Sequence, residues 1–363
     1  MKRFDVVIVG GGLCGLRVAS LLTARGMHCI VIEARDRIGG RVLSATADGA
    51  GSWRHDLGPS WFWPDVQPLM RRLVEDLRLE VFPQSLEGAV LVERFRLEHP
   101  RRYASEGSMA SRSMRLAGGM ASLTEALAAT LPDRCIQLGS RVRRIAIARE
   151  AHVQIEVAGP RGQEAIVASQ VVIAIPPRLV ARDVEFLPAL APNVIAALAG
   201  MTTWMAGQAK TVAVFGDRFW SEAGLSGTVS SFVGPLGEIH DSTPLNGKPS
   251  LFGFVSLPPA TRSAIGVPRL HEMVTAQLVR LFGPEAASPL AVTTTDWASE
   301  RFTATEADAF PQHGPSRAGP WELPSPWNQY VRLSGSELAS EHAGYLEGAL
   351  AAAEEAFVDL AAI

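Results

Sequence analysis

The chain has 363 residues, 47% hydrophobic and 20% charged, with a formal net charge of −3. That composition excludes a disordered chain and leaves room for one large or two intertwined domains. Lys and Arg are scattered, so neither nucleic acid nor an anionic membrane is expected as a partner, and Arg101-Arg102 and Arg141 to Arg144 read as solvated surface.

In chain order, the apolar run Val6 to Val9 reads as a strand ending on Gly10, Gly12 and Gly15, a GxGxxG that opens the helical pattern Leu16 to Leu22. In such a loop Gly10 makes the tight turn, Gly12 lets backbone approach a pyrophosphate, and Gly15 lets helix pack on strand. The helix N-terminus points its free N–H groups at the phosphates. Cys14 fills a variable position of this loop as a small packing residue. Glu33 closes the next apolar run, Cys29 to Ile32, where a carboxylate accepts both ribose hydroxyls and repels a 2′-phosphate. Behind it come Ala34, Arg35 and the pair Gly39-Gly40 followed by Arg41. The loop alone indicates a dinucleotide; with the second glycine-arginine element it indicates FAD.

Asp56 to Pro64 reads as an aromatic-rich loop, and Val66 to Leu79 has helical spacing. Short strands are expected at Val81-Phe82 and Ala89 to Arg96, then a helix over Ala121 to Leu131. Strands follow at Ile136 to Leu138, Val142 to Ile147, Val153 to Val157 and Val167 to Ile175, the last stopped by Pro176-Pro177. The uncharged stretch Phe186 to Ala209 is broken by Pro188, Pro192 and Gly200, so it reads as a buried helix and a strand, not a membrane span. Ala209 to Phe215 is a strand carrying Lys210 among apolar neighbours, an expensive placement unless the lysine is paired, functional or snorkelling at a sheet edge. Ser250 to Leu257 reads as a strand, Arg269 to Leu281 as an amphipathic helix, Pro311 to Pro326 as a proline-rich loop and Gly344 to Leu360 as a helix. The three cysteines, Cys14, Cys29 and Cys135, form no CxxC, which suits a reduced, cytoplasmic protein. The sequence has no HExxH and no Cys/His cluster, so no metal site is expected. His240-Asp241 reads as a turn before Ser-Thr-Pro.

Four separated stretches resemble the flavin-containing amine oxidases, the family of monoamine and polyamine oxidases. They are Glu33 to Arg41, Asp56 to Ser60, Gly207 to Lys210 with Phe219-Trp220 downstream, and Gly335 to Ala349. The resemblance covers essentially the whole chain. It implies an α/β fold, a Rossmann-like FAD-binding domain from residues 1–66, 116–205 and 300–363, with a second α+β substrate domain on a mixed sheet from 67–115 and 206–299. It carries Gly39, Gly40 and Arg41 to the pyrophosphate, the Val142 backbone to the adenine, and Gly58, Pro59, Ser60 and Trp61 to the flavin ring. Ser336, Glu337, Tyr345 and Leu346 would close over the ribityl chain and ring, where a helix starting at Gly344 offers its positive end.

The resemblance further implies that Lys210 holds a water for dioxygen chemistry and that Tyr345 flanks the amine. Trp61, Trp63, Trp204 and Trp297 would wall the substrate pocket. A second aromatic partner for Tyr345 is missing, since Thr303 to Phe310 offers only Ala307 or Asp308 there. With no cysteine in that stretch, FAD is expected to be noncovalent. Between Trp61 and Gly118 the chain is shorter than full-size relatives, so the pocket is more open or is completed by a second subunit in a homodimer. A carboxylate-binding arginine would mark an amino acid oxidase, and Arg94, Arg96, Arg112, Arg115, Arg218 and Arg262 are all candidates. The implied reaction is hydride transfer from an amine or amino acid to flavin N5, with hydrolysis of the imine and reduction of dioxygen to hydrogen peroxide. Two other readings share the fold: an FAD-dependent dehydrogenase, desaturase or renalase-like oxidase of a nonamine substrate, and a noncatalytic binding protein.

Overall fold

The strand Lys2–Val9 is central to an eight-stranded sheet in a computed structural model that describes residues 1–46, 53–104, 112–148, 152–310, 314 and 321–361. Across the sheet the strands run Glu185–Leu187, Arg141–Ile147, Val153–Gly159, Gly162–Ile173, Lys2–Val9, Cys29–Ile32 and Ile136–Gln137. Val331–Leu333 lies parallel to the far end of Gly162–Ile173. Lys2–Val9 is parallel to both neighbours, and its buried run is continuous because both faces are covered. Val6 and Ile8 face the helices Leu13–Ala24, Ala121–Ala129 and Leu346–Ala361, whereas Val7 and Val9 face the layer holding Phe186, Leu198 and Trp327. This is the period-two division of a strand between two layers.

A second sheet of seven strands runs Ala291–Asp296, Ala209–Val214, Ser250–Val255, Leu236–Asp241, Leu225–Ser231, Ala89–Glu93 and Arg101–Tyr103. Its one face packs on the helix Pro259–Phe282 through Leu270, Val274 and Leu278. Gly266, at φ +74, and Pro268 break that helix in two, so the regular amphipathic pattern begins at Arg269 as expected. Its other face carries Val212, Val214 and Phe252 towards Leu57 of the first layer.

Several expected elements differ. The strand expected over Val167 to Ile175 begins earlier, at Gly162, and ends at Ile173, because its near half pairs with Val153–Gly159 and its far half with Val331–Leu333. His240 and Asp241 close the strand Leu236–Asp241, with no turn between them. The final helix begins at Leu346, two residues later than expected, after Gly344 at φ +80. The helix Pro68–Asp76, assigned from sequence to the substrate domain, buries Met70, Leu73 and Val74 with Leu350 and Ala353 of the final helix, on the side of the first sheet. Most of the proline-rich loop at 311–326 lies outside the described residues.

Candidate active site

The strand Lys2–Val9 ends in the glycine loop, which three glycines shape differently. A Cβ on Gly10, at φ +107, would sit 2.8 Å from the Ala174 carbonyl oxygen, and one on Gly15 would sit 2.0 Å from the Gly10 oxygen. A Cβ on Gly12 would meet no protein atom within 4 Å, so the cavity reaches that backbone unobstructed. Gly40 opposes it, its Cβ position lying 3.3 Å from the Gly12 Cα. Glu33 is buried, and its Oε2 accepts from the Gly11 N–H at 2.6 Å while Oε1 accepts from the Arg35 N–H at 2.8 Å. Each carboxylate oxygen keeps a further lone pair for a ribose hydroxyl. Arg41 pairs with Glu337 at 2.7 Å and donates to the Trp204 carbonyl and the Ser336 hydroxyl, tying the second glycine element to the C-terminal turn. Gly39 fixes that element by donating its N–H to the Gly11 carbonyl.

These groups line one cavity of about 370 Å³ that continues to Lys210. Lys210 shares a strand face with Val212 and Val214, which directs it away from the long helix and towards Leu57 and Phe252. Its Nζ donates to the Gly58 carbonyl at 3.0 Å and to Ser60 Oγ at 2.6 Å, and lies 3.9 Å from the Phe252 ring centroid. Burial holds its ammonium well below the ordinary lysine value, at about 7, with Asp56 pulling upward and Arg115 downward. Trp61 packs against Phe252 with ring centroids 5.3 Å apart and anchors its indole N–H on Gln84. Trp297 donates its indole N–H to the Leu57 carbonyl, bracing the same loop. Trp204 lies under Gly344, where a Cβ would sit 2.6 Å from the Trp204 Cβ. Tyr345 lines the cavity at its open side and is 41% exposed.

The cavity gathers Gly10, Gly12, Cys14, Glu33, Arg35, Gly39, Gly40, Arg41, Gly58, Pro59, Ser60, Trp61, Trp63, Trp204, Lys210, Trp297, Ser336, Glu337, Tyr345 and Leu346. Gly15 lies behind the loop, packed on Gly10. Ala34 and Val142 line a smaller neighbouring pocket of about 50 Å³ that shares Gly10, Glu33 and Arg35 with the first. The Cys14 thiol bonds Ser334 Oγ at 3.1 Å and burial pushes it up to about 12, so it packs and does not react. Ala307 and Asp308, which stand where a second aromatic partner for Tyr345 is missing, do not line the cavity. Ala307 is exposed, and Asp308 is buried in an ion pair with Arg178 while capping the turn at Thr305. Of the six candidate arginines, Arg115 holds the carbonyls of Ser242 and Thr243, Arg218 holds Asp241, Arg262 holds Asp296, and Arg112 pairs with Asp65. Arg94 and Arg96 are exposed on the hairpin joining Ala89–Glu93 to Arg101–Tyr103.

Gln67, Gln208, Phe252, Phe254 and Thr303 also line the cavity and were missed. Ser250 to Leu257 reads as a strand from the sequence, but only the pairing of Phe254 with Lys210 places that strand at the site. The cavity thus joins a dinucleotide cradle to an aromatic-walled chamber containing one buried lysine.

The family model described as flavin containing amine oxidoreductase matches residues 97–359, and a Rossmann-like NAD(P)-binding domain model matches residues 8–77. Putrescine oxidase from Kocuria rosea is 27% identical over 95% of this chain and 92% of its own length, in an alignment of 453 positions. Flavin-containing amine oxidase B from Homo sapiens is 42% identical over 81 residues, which are 22% of this chain and 15% of the relative. Among solved structures, putrescine oxidase bound to putrescine has a TM-score of 0.81 at 22% identity, and cyclohexylamine oxidase from Brevibacterium oxydans IH-35A has a TM-score of 0.81 at 20% identity. Each covers 99% of both chains, so the fold is shared throughout. The chain belongs to the flavin-containing amine oxidoreductase family, and its reaction is FAD-dependent amine oxidation.

Proposed function

We propose that the aromatic chamber oxidises an amine lacking a carboxylate, releasing an imine that water hydrolyses to an aldehyde, with hydrogen peroxide as the second product. The observation carrying this reading is Lys210, buried at the junction of chamber and cradle with its ammonium near neutrality. The placement of Arg112, Arg115, Arg218 and Arg262 in other ion pairs and hydrogen bonds favours an amine over an amino acid. Bound FAD would supply the redox chemistry, uptake of a hydride from the carbon beside the amine nitrogen and return of the two electrons to dioxygen.

The chain's own groups bind, orient and exclude water. Glu33 takes the ribose, the Gly12 and Gly40 backbones admit the pyrophosphate, and Arg41 with Glu337 braces the turn at Tyr345 and Leu346. The helix beginning at Leu346 presents its positive end to the cavity, where negative charge is stabilised. Trp61, Phe252 and Tyr345 make the chamber apolar, which favours the neutral, nucleophilic form of the amine. Lys210, held between Gly58 and Ser60, positions a water and supplies positive charge as dioxygen is reduced. FAD is held noncovalently, since Cys14 is committed to Ser334 and Cys29 and Cys135 lie in the core between helices and sheet. The three buried free thiols suit a cytoplasmic setting. The first sheet is assigned to the FAD-binding domain and the second to the substrate domain, and the packing of Pro68–Asp76 on the final helix supports giving that helix to the former.

The test is anaerobic bleaching of the flavin absorbance with primary, secondary and polyamines and amino acids. Rapid bleaching by carboxylate-free amines is expected. If no amine bleaches a flavin that dithionite still reduces, the nonamine reading replaces this one. Lys210→Met should retain FAD yet slow reoxidation by dioxygen, and reoxidation at the parent rate would remove Lys210 from that step.

A further inference from the structure

The strands Ala89–Glu93 and Leu225–Ser231 run parallel with Glu93 opposite Ser231, so both chains leave the second sheet at the same end. The Phe232 N–H donates to the Glu93 carbonyl at 2.9 Å, which holds the Phe232 backbone against the strand end from which the turn Phe95–Glu98 departs. Three exposed apolar side chains follow these two strand ends: Phe95 is 60% exposed, Phe232 76% and Leu97 97%. Arginines flank them. Arg94 and Arg96 alternate with Phe95 and Leu97, and Arg101 begins the return strand. The acids nearby are already engaged: Glu93 is buried under Arg280 and Ser231, and Glu98 pairs with Arg101 at 3.8 Å. Arg94 and Arg96 form no ion pair among the described residues. The tip is thus positively charged on a chain whose net charge is −3.

We propose that this hairpin tip docks the protein on an anionic lipid surface, with Phe95, Leu97 and Phe232 entering the headgroup–acyl boundary while Arg94, Arg96 and Arg101 meet lipid phosphates. Scattered exposed apolar residues are normal, but three around two adjoining strand ends, amid arginines that outnumber the nearby acids, are not. Size decides between partners. Burying two phenylalanines and a leucine covers at most about 500 Å², short of the roughly 800 Å² per partner that a stable protein interface uses. A bilayer accepts a small apolar wedge without that requirement and adds the attraction of its surface potential for each arginine. Read along the sequence alone, Arg101-Arg102 is only solvated charge. The fold supplies the meaning by bringing Phe232 to a turn some 135 residues earlier.

The test is co-sedimentation of the FAD-loaded enzyme with vesicles of phosphatidylcholine alone or mixed with phosphatidylglycerol. Binding to the mixed vesicles at low salt is expected, with little to the neutral ones. The double variant Arg94→Glu, Arg96→Glu should lower vesicle affinity at least roughly thirtyfold, the loss of two surface arginines. Phe95→Ser with Leu97→Ser should also lower it, and both variants should keep the parent melting temperature and flavin reduction rate. No sedimentation with either vesicle, or equal sedimentation of parent and variants, would overturn the proposal. So would a shift from dimer to monomer in the serine variant, which would make the tip a protein interface.

Discussion

Replacing Lys210 with methionine should change the sign of its effect on stability across the alkaline range. In the unfolded chain a lysine titrates near 10.5, whereas in the fold this one titrates at about 7. Between those values the unfolded state binds a proton that the folded state does not, so parent stability rises with pH there, by about 1.4 kcal/mol per pH unit. Below pH 7 both states are protonated and the full penalty applies, about 5 kcal/mol at most. The Phe252 ring beneath Nζ reduces that figure, because its face favours the ammonium. Methionine removes the penalty but leaves the Gly58 carbonyl and the Ser60 hydroxyl without their donor, at a cost of roughly 2 kcal/mol for the two. The variant should therefore be more stable than the parent by up to about 3 kcal/mol at pH 6, with the difference vanishing near pH 9 and reversing above it. Urea denaturation of both proteins from pH 6 to pH 10, at one saturating FAD concentration, measures the difference directly. A gap independent of pH would show that Lys210 is not buried as a perturbed ammonium.

Other substitutions separate cradle, chamber and scaffold. Gly12→Ala should fold normally without FAD and lose FAD binding, whereas Gly15→Ala, with a Cβ 2.0 Å from the Gly10 oxygen, should fail to fold; expression and flavin titration distinguish them. Glu33→Gln keeps the shape but loses charge-assisted acceptance from Gly11 and from the ribose, so the FAD dissociation constant should rise about tenfold or more by fluorescence titration. The two oxygens of Glu347 accept from the Leu69 and Met70 N–H groups at 2.9 and 2.8 Å; Glu347→Ala should lower unfolding free energy by about 2–3 kcal/mol in urea. Tyr345→Ala should reduce amine turnover more than FAD retention, and equal loss of both would make Tyr345 a structural residue.

Features encoded by consecutive residues were legible before the fold was known. The glycine loop, Glu33, Arg41 and the turn at Tyr345 are short-range patterns whose chemistry follows from spacing, and the cavity brings them together. Lys210 stood out because an ammonium in an apolar strand demands a reason. What remained hidden depends on pairing between distant segments. No local pattern distinguishes Glu347 within its helix, and only the packing of Pro68–Asp76 beneath it reveals a cap on another helix. Phe252 and Phe254 entered the chamber through registry with the strand of Lys210. The placing of Asp308 depends on Arg178, 130 positions away, whose guanidinium holds its carboxylate.

The pairing of Val331–Leu333 with Gly162–Ile173, and of the final helix with Leu13–Ala24, bears on how a cell makes this enzyme. The glycine loop leaves the ribosome more than 300 residues before the turn that closes the same cavity, Gly335 to Leu346. At about 5–20 residues per second, that interval is tens of seconds. Throughout it, the apolar side of Leu13–Ala24 lacks the helix that covers it, and FAD meets an unfinished cradle. Flavin capture is thereby deferred until the turn at Gly335 to Leu346 has been made, and in the interval the uncovered side of the first βα unit is an aggregation hazard.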